Sequence, residues 1–198
     1  MSGKTIVLIH GFRFRISIHD HARKARRQGR NFALFEYDWN MGIDEISDMF
    51  HDWCKDQQAA GAGDLVIVAH SLGGLIATRM LQRHAPKFVT HLVTVATPHA
   101  GTYVAYISCT QSAKDMRPGS DFMRVHSPEV TGYDHMNVVA ESDWIILPYR
   151  SCILPDASSA RQLSMPGIGH LNMLSNLSVI RTIYHWLGES DKHEQDTV

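Results

Sequence analysis

The sequence lacks a long hydrophobic run, a strong net charge and a regular set of cysteines. None of its apolar runs approaches the roughly 18 residues that a helix needs to cross a bilayer. The formal net charge is only -1, which gives no general attraction to nucleic acid. The three cysteines, Cys54, Cys109 and Cys152, are odd in number and far apart, which argues against a disulfide framework or a zinc knuckle. We therefore expect a soluble protein with reduced thiols and no nucleic-acid partner.

The N-terminus also lacks the pattern of a secretory signal. Lys4 is followed at once by TIVLI (5–9), whose β-branched composition is that of a buried strand rather than of a cleavable apolar segment. A cytoplasmic location is therefore favoured. The first thirty residues are rich in arginine and lysine, and a solvated helix face is the simplest interpretation of that excess.

The order of predicted elements alternates strand and helix. Short apolar runs rich in β-branched residues predict buried strands at 5–9, 65–69 and 92–96. An apolar stripe at helical spacing predicts a helix over 43–60, and a second helix follows over 72–81. Such βα steps are typical of an α/β protein with a doubly wound, mostly parallel sheet and helices on both faces.

The rest of the chain completes a single domain over 1–188, because 198 residues are too few for two ordinary domains. Residues 101–130 are rich in Gly, Pro and Ser and have no clean period, so we expect loops and short helices there, as a small cap or flap above the sheet. Residues 189–198 form a polar tail. Further strands are predicted at 31–37, 138–140 and 161–165, and further helices at 18–29 and 180–187.

The segment VIVAHSLGG (66–74) predicts a nucleophile at Ser71. A buried strand must turn sharply into a helix there, and only small residues two positions before and after the serine tolerate the turn; these are Ala69 and Gly73. The turn lifts the hydroxyl above the C-terminal edge of the sheet, at the positive end of the following helix. The alternative is a serine that merely caps the helix. Because strand and helix both flank Ser71, we favour the nucleophile.

The general base must be chosen among 13 histidines, and position decides. In a hydrolase built on such an elbow the chain order is serine, then acid, then histidine, with the histidine on a loop after the last strand. His170 follows the predicted strand at 161–165 and precedes the closing helix. His185 lies within that helix, and His193 lies in the tail. We therefore predict His170 as the base.

The acid that orients the histidine should lie on the loop after the preceding strand. Asp143 occupies that place, where its carboxylate could accept a hydrogen bond from His170 and stabilise the imidazolium. Glu141 is the nearest rival, and Asp134 and Asp156 are less well placed. A helix cap beginning at Trp144 is the structural alternative for Asp143.

The oxyanion that forms on a substrate carbonyl needs two backbone donors. One should be the amide of Leu72, directly after the nucleophile, and we choose Phe12 in the loop after the first strand as the other. We assign His10, Gly11 and Arg13 to substrate binding. His10 would shape the turn rather than transfer protons, whereas Arg13, with Arg15 close by, could contact a carboxylate or phosphate of the substrate.

Five segments carry a resemblance to a known family: VLIHGF (7–12), AHSLGG (69–74), TPHAG (97–101), SDWII (142–146) and GIGH (167–170). They resemble the bacterial lipases and esterases of the α/β-hydrolase fold, most of all the small, lidless Bacillus-type lipases, whose elbow also begins with alanine. The resemblance implies Ser71, Asp143 and His170 as a catalytic triad, with Phe12 and Leu72 as oxyanion donors. The stretch from 99 to 138 is longer than minimal members need, which favours a partial cap.

These residues predict cleavage of short to medium carboxylic esters through an acyl-enzyme. Thioester hydrolysis or acyl transfer by the same triad is the alternative, followed by a catalytically silent binding module. The pair in His19-Asp20-His21 would point apart on a helix, so we predict no metal and no cofactor. The expected partner is a small acyl ester, with at most transient contact with a lipid surface. The sequence does not set the oligomeric state.

Overall fold

The computed structural model describes residues 3–12, 31–156 and 158–188. Within them, six strands form one sheet in the order β2-β1-β3-β4-β5-β6, and every neighbouring pair is parallel. This confirms the predicted parallel α/β fold. The strands are β1 (Thr5–Ile9), β2 (Phe32–Phe35), β3 (Leu65–His70), β4 (Val89–Val95), β5 (Asp134–Ala140) and β6 (Arg161–Met165).

The helices cover both faces of this sheet, as predicted. They are α1 (Ile43–Ala59), α2 (Leu72–His84), α3 (Gln111–Asp115), α4 (Asp121–Val125) and α5 (Leu177–Trp186). Inward-facing side chains of α1 and α2 pack with Val7, Ile67 and Leu92 on one face, and those of α5 pack with Ile6 and Val68 on the other. The central strands are buried on both sides for that reason.

The strand order reverses beside β1, which has β2 on one side and β3 on the other. In parallel sheets of this kind, ligands bind in the crevice at the carboxyl ends of the strands on either side of such a reversal. The loop beginning at His10 leaves β1 at this edge, and Ser71 follows β3 at the same edge. The topology therefore brings these two segments together.

Strand β5 begins at Asp134, earlier than the predicted 138. Its first half carries the buried polar residues His135 and Asn137, which interrupt the apolar run. Thr94 Oγ1 donates to Asn137 Oδ1 at 2.9 Å, and Asn137 Nδ2 donates to the carbonyl of Cys152 at 2.8 Å. A buried strand accommodates an amide whose hydrogen bonds are satisfied in this way.

The segment 101–130 contains short helices, as expected, and is tied to the body of the domain. A 3-10 turn covers Tyr103–Ile107, and α3 and α4 follow it. The carboxylate of Asp115 accepts a hydrogen bond from the backbone N–H of Ile43 at 2.8 Å. Gly42 at the start of α1 has no side chain to cap that helix, so Asp115 caps it from a distant part of the sequence.

No helix in the described part of the chain has the length and apolar character to cross a membrane. The predicted helix at 18–29, with His19 and His21, lies outside the described residues. So do Arg13, Arg15 and the tail at 189–198.

Candidate active site

Ser71 lies at the sharp junction of β3 and α2. Its backbone has φ 55° and ψ -122°, a left-handed region that a serine rarely adopts and that costs on the order of 1–3 kcal/mol. The Ser71 N–H donates to the carbonyl of Val95 at 2.8 Å, which holds the turn against β4. The side chain makes no capping hydrogen bond to α2. The strain therefore does not serve to cap the helix.

The glycines around the turn allow the end of β1 to press against it. A Cβ at Gly73 would lie 2.6 Å from the carbonyl oxygen of His10 and 2.8 Å from that of Ile9. A Cβ at Gly11 would lie 2.8 Å from Ser71 Cβ. Neither position tolerates a larger residue without a shift of main chain, so the loop after β1 is held directly beside the serine.

Asp143 and His170 form a buried pair. Their Oδ2 and Nδ1 atoms are 2.6 Å apart, and the side chains are 0% and 2% exposed. The other carboxylate oxygen of Asp143 accepts the backbone N–H groups of Ile145 and Ile146, both at 2.8 Å. The carboxylate is thus fixed by its own loop before it meets the imidazole.

The three other acids considered from the sequence do not contact His170. Glu141 and Asp156 are exposed, and Asp134 faces solvent with one oxygen 3.6 Å from His91 Nε2. Among the four acids considered from the sequence, Asp143 is therefore the one that reaches His170.

Ser71 and His170 border one cavity of about 330 Å³. Within the described residues no hydrogen bond joins the Ser71 hydroxyl to His170; such contacts are often long in a resting enzyme and tighten with substrate. Phe12 forms part of the wall. The other lining side chains are mostly apolar, and more than half of the wall comes from 102–116: Thr102, Val104, Ala105, Ile107, Ser108, Ala113 and Met116.

The residues assigned to substrate binding occupy different places. Gly11 packs against Ser71, as described above, whereas His10 is fully buried and stacks on Tyr37 with ring centroids 4.3 Å apart. The Tyr37 hydroxyl also donates to the His10 carbonyl at 2.7 Å. His10 therefore supports the loop from beneath rather than lining the cavity. The Leu72 side chain is buried in the core, which leaves only its backbone N–H to act at the site.

Sequence reasoning missed His70, the residue before the serine. Its Nε2 lies 3.0 Å from the backbone oxygen of His170. Burial, reinforced by the charges of the neighbouring His170 and His10, lowers the pKa of His70 to about 3, and the hydrogen bond to the His170 backbone offsets only part of this lowering. The position of His70 next to Ser71 is visible in the sequence. Nothing in the sequence pattern indicates that its hydrogen-bond acceptor is the backbone oxygen of His170.

The cysteines offer no competing nucleophile in the core. Burial raises the pKa of Cys54 to about 12, and burial, followed by the charge of Asp143, also raises the pKa of Cys152, so both remain thiols. No group of three or more metal-ligating side chains occurs in the ranges that the structure covers.

A doubly wound parallel sheet with a strained serine between strand and helix defines the α/β-hydrolase fold. The chain matches the model of the alpha/beta hydrolase family over residues 6–191, and it belongs to that family. The general class of the protein is therefore that of a hydrolase. A comparison with curated protein sequences found no significant match.

Solved structures share the fold at low sequence identity. The mature form of the Bacillus licheniformis lipase BlEst2 aligns with a TM-score of 0.77 at 14% identity, covering 94% of this chain and 92% of that one. Aspergillus fumigatus lipase B aligns with a TM-score of 0.70 at 16% identity, covering 81% of this chain and 44% of that one. The hydrolase MGS-MChE2, from a lagoon-sediment metagenome, aligns with a TM-score of 0.63 at 17% identity, covering 93% of this chain and 90% of that one.

Proposed function

We propose that the protein hydrolyses carboxylic esters through an acyl-enzyme, with Ser71 as nucleophile, His170 as general base and Asp143 as the acid that orients the base. The observation that carries the proposal is the buried pair of Asp143 and His170, with Oδ2 and Nδ1 2.6 Å apart, whose histidine lines the same cavity as Ser71. The strained backbone of Ser71 supports it, because strain of this kind concentrates at functional sites.

In the first half of the reaction, Ser71 Oγ attacks the ester carbonyl while His170 Nε2 takes the hydroxyl proton. The tetrahedral intermediate collapses when the C–O bond to the alcohol breaks and His170 returns the proton to that leaving oxygen. In the second half, His170 removes a proton from water, and the water oxygen attacks the acyl carbon. The bond from that carbon to Ser71 Oγ then breaks, His170 returns the proton to Oγ, and the acid product leaves. Asp143 accepts the hydrogen bond from the Nδ1–H of His170 throughout and stabilises the imidazolium.

The charge that develops on the carbonyl oxygen requires donors fixed in advance. We assign them to the backbone N–H groups of Phe12 and Leu72. The close packing of the chain at the end of β1 against Gly73 supports this assignment, because it places the loop that carries Phe12 next to the start of the helix at Leu72.

The cavity favours an apolar acyl group of short to medium length. Its volume of about 330 Å³ lies at the lower end of the roughly 300–1,000 Å³ common for small-molecule sites. Its apolar wall suits hydrocarbon, and the polar groups of Ser71 and His170 suit the ester itself.

The test combines labelling with kinetics. A fluorophosphonate probe should modify the wild-type protein at Ser71, and nitrophenyl esters of rising chain length should show an optimum at short to medium acyl groups. Ser71→Ala should abolish labelling and lower turnover roughly 10⁴-fold or more. Ser151→Ala is the matched control, because Ser151 is also buried but lies outside the cavity wall.

Two results would contradict the proposal: labelling that survives Ser71→Ala, or a wild-type protein that neither reacts with the probe nor turns over any ester. The same triad would also cleave thioesters. Faster turnover of an acyl thioester than of the matched oxygen ester would replace ester hydrolysis by that alternative.

A further inference from the structure

His70 occupies the last position of β3 and directly precedes Ser71. The residue is 1% exposed, and its ring lies beside the ring of His170, with centroids 4.6 Å apart and an interplanar angle of 49°. The hydrogen bond at 3.0 Å joins its Nε2 to the backbone oxygen of His170, 100 residues further along the chain. One residue thus connects the end of the serine's strand to the loop of the proposed base.

The partner fixes the protonation of the ring. A carbonyl oxygen can only accept, so Nε2 of His70 must carry the proton and donate it. Burial keeps the ring neutral at ordinary pH, since the pKa of His70 is lowered to about 3. A neutral donor places no positive charge beside an imidazole that must itself become positive during the reaction.

The loop before His170 contains two glycines with open space around them. Gly167 has φ +72°, and a Cβ placed there would meet nothing within 4 Å; a Cβ at Gly169 would meet only the carbonyl oxygen of Ser142, at 3.8 Å. Glycines without close neighbours leave a backbone free to adopt several conformations. Asp143 holds the imidazole ring through Nδ1. A 3-10 turn over His170–Asn172, with the Asn172 N–H donating to the Gly169 carbonyl at 3.0 Å, shapes the main chain locally but does not tie it to β3.

We propose that His70 is a positioning residue, whose hydrogen bond to the His170 carbonyl holds the backbone of the base at a set distance from the neighbouring nucleophile. The inference rests on the proposed function of Ser71 and His170. Two anchors then act on His170 from different directions: Asp143 sets the orientation of the ring, and His70 sets the position of the main chain. Positioning errors of about 1 Å at a reacting group can cost on the order of 100-fold in rate.

The test replaces His70 with side chains that differ in the donor. In His70→Gln the amide nitrogen can reach the place of Nε2 and donate to the same carbonyl, whereas His70→Met has similar length and no donor. We expect kcat for a nitrophenyl ester to fall about tenfold or more in the methionine variant, as for the loss of one buried hydrogen bond. The glutamine variant should stay within about threefold of wild type, and KM should change little in both, because His70 is outside the cavity wall.

His135 provides the matched control, since it is also a buried histidine with a hydrogen bond, to Thr94. His135→Met should lower the melting temperature but leave kcat per folded molecule unchanged. If His70→Met does not fold, His70→Asn replaces it, because the shorter amide keeps the polarity of glutamine but not its reach. The comparison uses kcat per molecule labelled by the fluorophosphonate.

If kcat of His70→Gln equals that of His70→Met, or of His70→Asn where that variant is used, the positioning role is overturned. His70 would then contribute only to packing. A wild-type protein without labelling at Ser71 would instead refute the proposed function, so the two failures are distinguishable. The proton of the Asp143–His170 hydrogen bond gives a second readout by NMR. Its resonance should broaden or shift in the methionine variant and persist in the glutamine variant.

Discussion

Asp143 makes three hydrogen bonds, one to His170 and two to its own loop. Two variants of Asp143 can therefore distinguish its effect on His170 from its effect on the loop. In Asp143→Asn, the amide oxygen can still accept the N–H groups of Ile145 and Ile146, which leaves the NH₂ group facing His170 Nδ1. Nδ1 must then act as acceptor, and the proton moves to Nε2. An imidazole protonated on Nε2 cannot take a proton from Ser71. We expect kcat/KM for a nitrophenyl ester to fall by about 10⁴-fold, with a melting temperature near that of wild type.

Asp143→Ala provides the comparison. It leaves the N–H groups of Ile145 and Ile146 without their acceptor, which costs about 1–3 kcal/mol for the buried Ile146 donor and less for the part-buried Ile145 donor. The free energy of unfolding should fall by roughly 2–5 kcal/mol, and Tm by about 4 °C or more for a chain of this length. Urea unfolding and ester turnover should therefore separate the two variants. If Asp143→Asn keeps more than about a tenth of the activity, the assignment of Asp143 as the orienting acid is refuted.

Two further predictions concern the effect of Gly73→Ala on stability and turnover, and the pH dependence of stability that follows from the buried histidines. Gly73→Ala should destabilise the domain by about 1–3 kcal/mol and lower kcat, because its Cβ would push the His10 carbonyl and the loop carrying Phe12 away; unchanged Tm and turnover would contradict the close contact. Burial lowers the pKa of His99 to about 3 and the pKa of His135 to about 4, from 6.5 when exposed, so the unfolded chain binds more protons below about pH 6.5. The free energy of unfolding in urea should fall as the pH drops from about 6.5 toward 4, and a flat profile would count against neutral buried rings.

Chain order and local pattern were enough to select the main residues of the candidate site. The elbow sequence selected Ser71, and the order of strands selected Asp143 and His170, which the structure brings to 2.6 Å from each other. These choices depended on which strand each loop follows, and that information is local. The bounds of β1 and β6 also match the prediction, because each has a clear start and end in the sequence.

The features that were missed depend on partners far away in the chain. The start of β5 was hidden because Asn137 is polar, and its burial is explained by Thr94 and Cys152, which no local pattern reveals. His70 carries no signal that its acceptor lies 100 residues away. The cap of α1 by Asp115 is of the same kind. Local sequence predicts helices and strands. Hydrogen bonds between distant parts of the same chain form only when those elements have been assembled.

The contact between Asp115 and the start of α1 limits how substrate preference can be redesigned. The stretch that supplies most of the cavity wall also secures the beginning of a core helix, through the bond to the N–H of Ile43. Replacing the whole segment 102–116 with a loop from another protein would remove the hydrogen bond of Asp115 together with the lining of the cavity. Substrate selectivity and the stability of the domain would then change together. Single exchanges at Val104 or Ile107, which leave Asp115 in place, change the shape of the proposed acyl site while the scaffold stays intact.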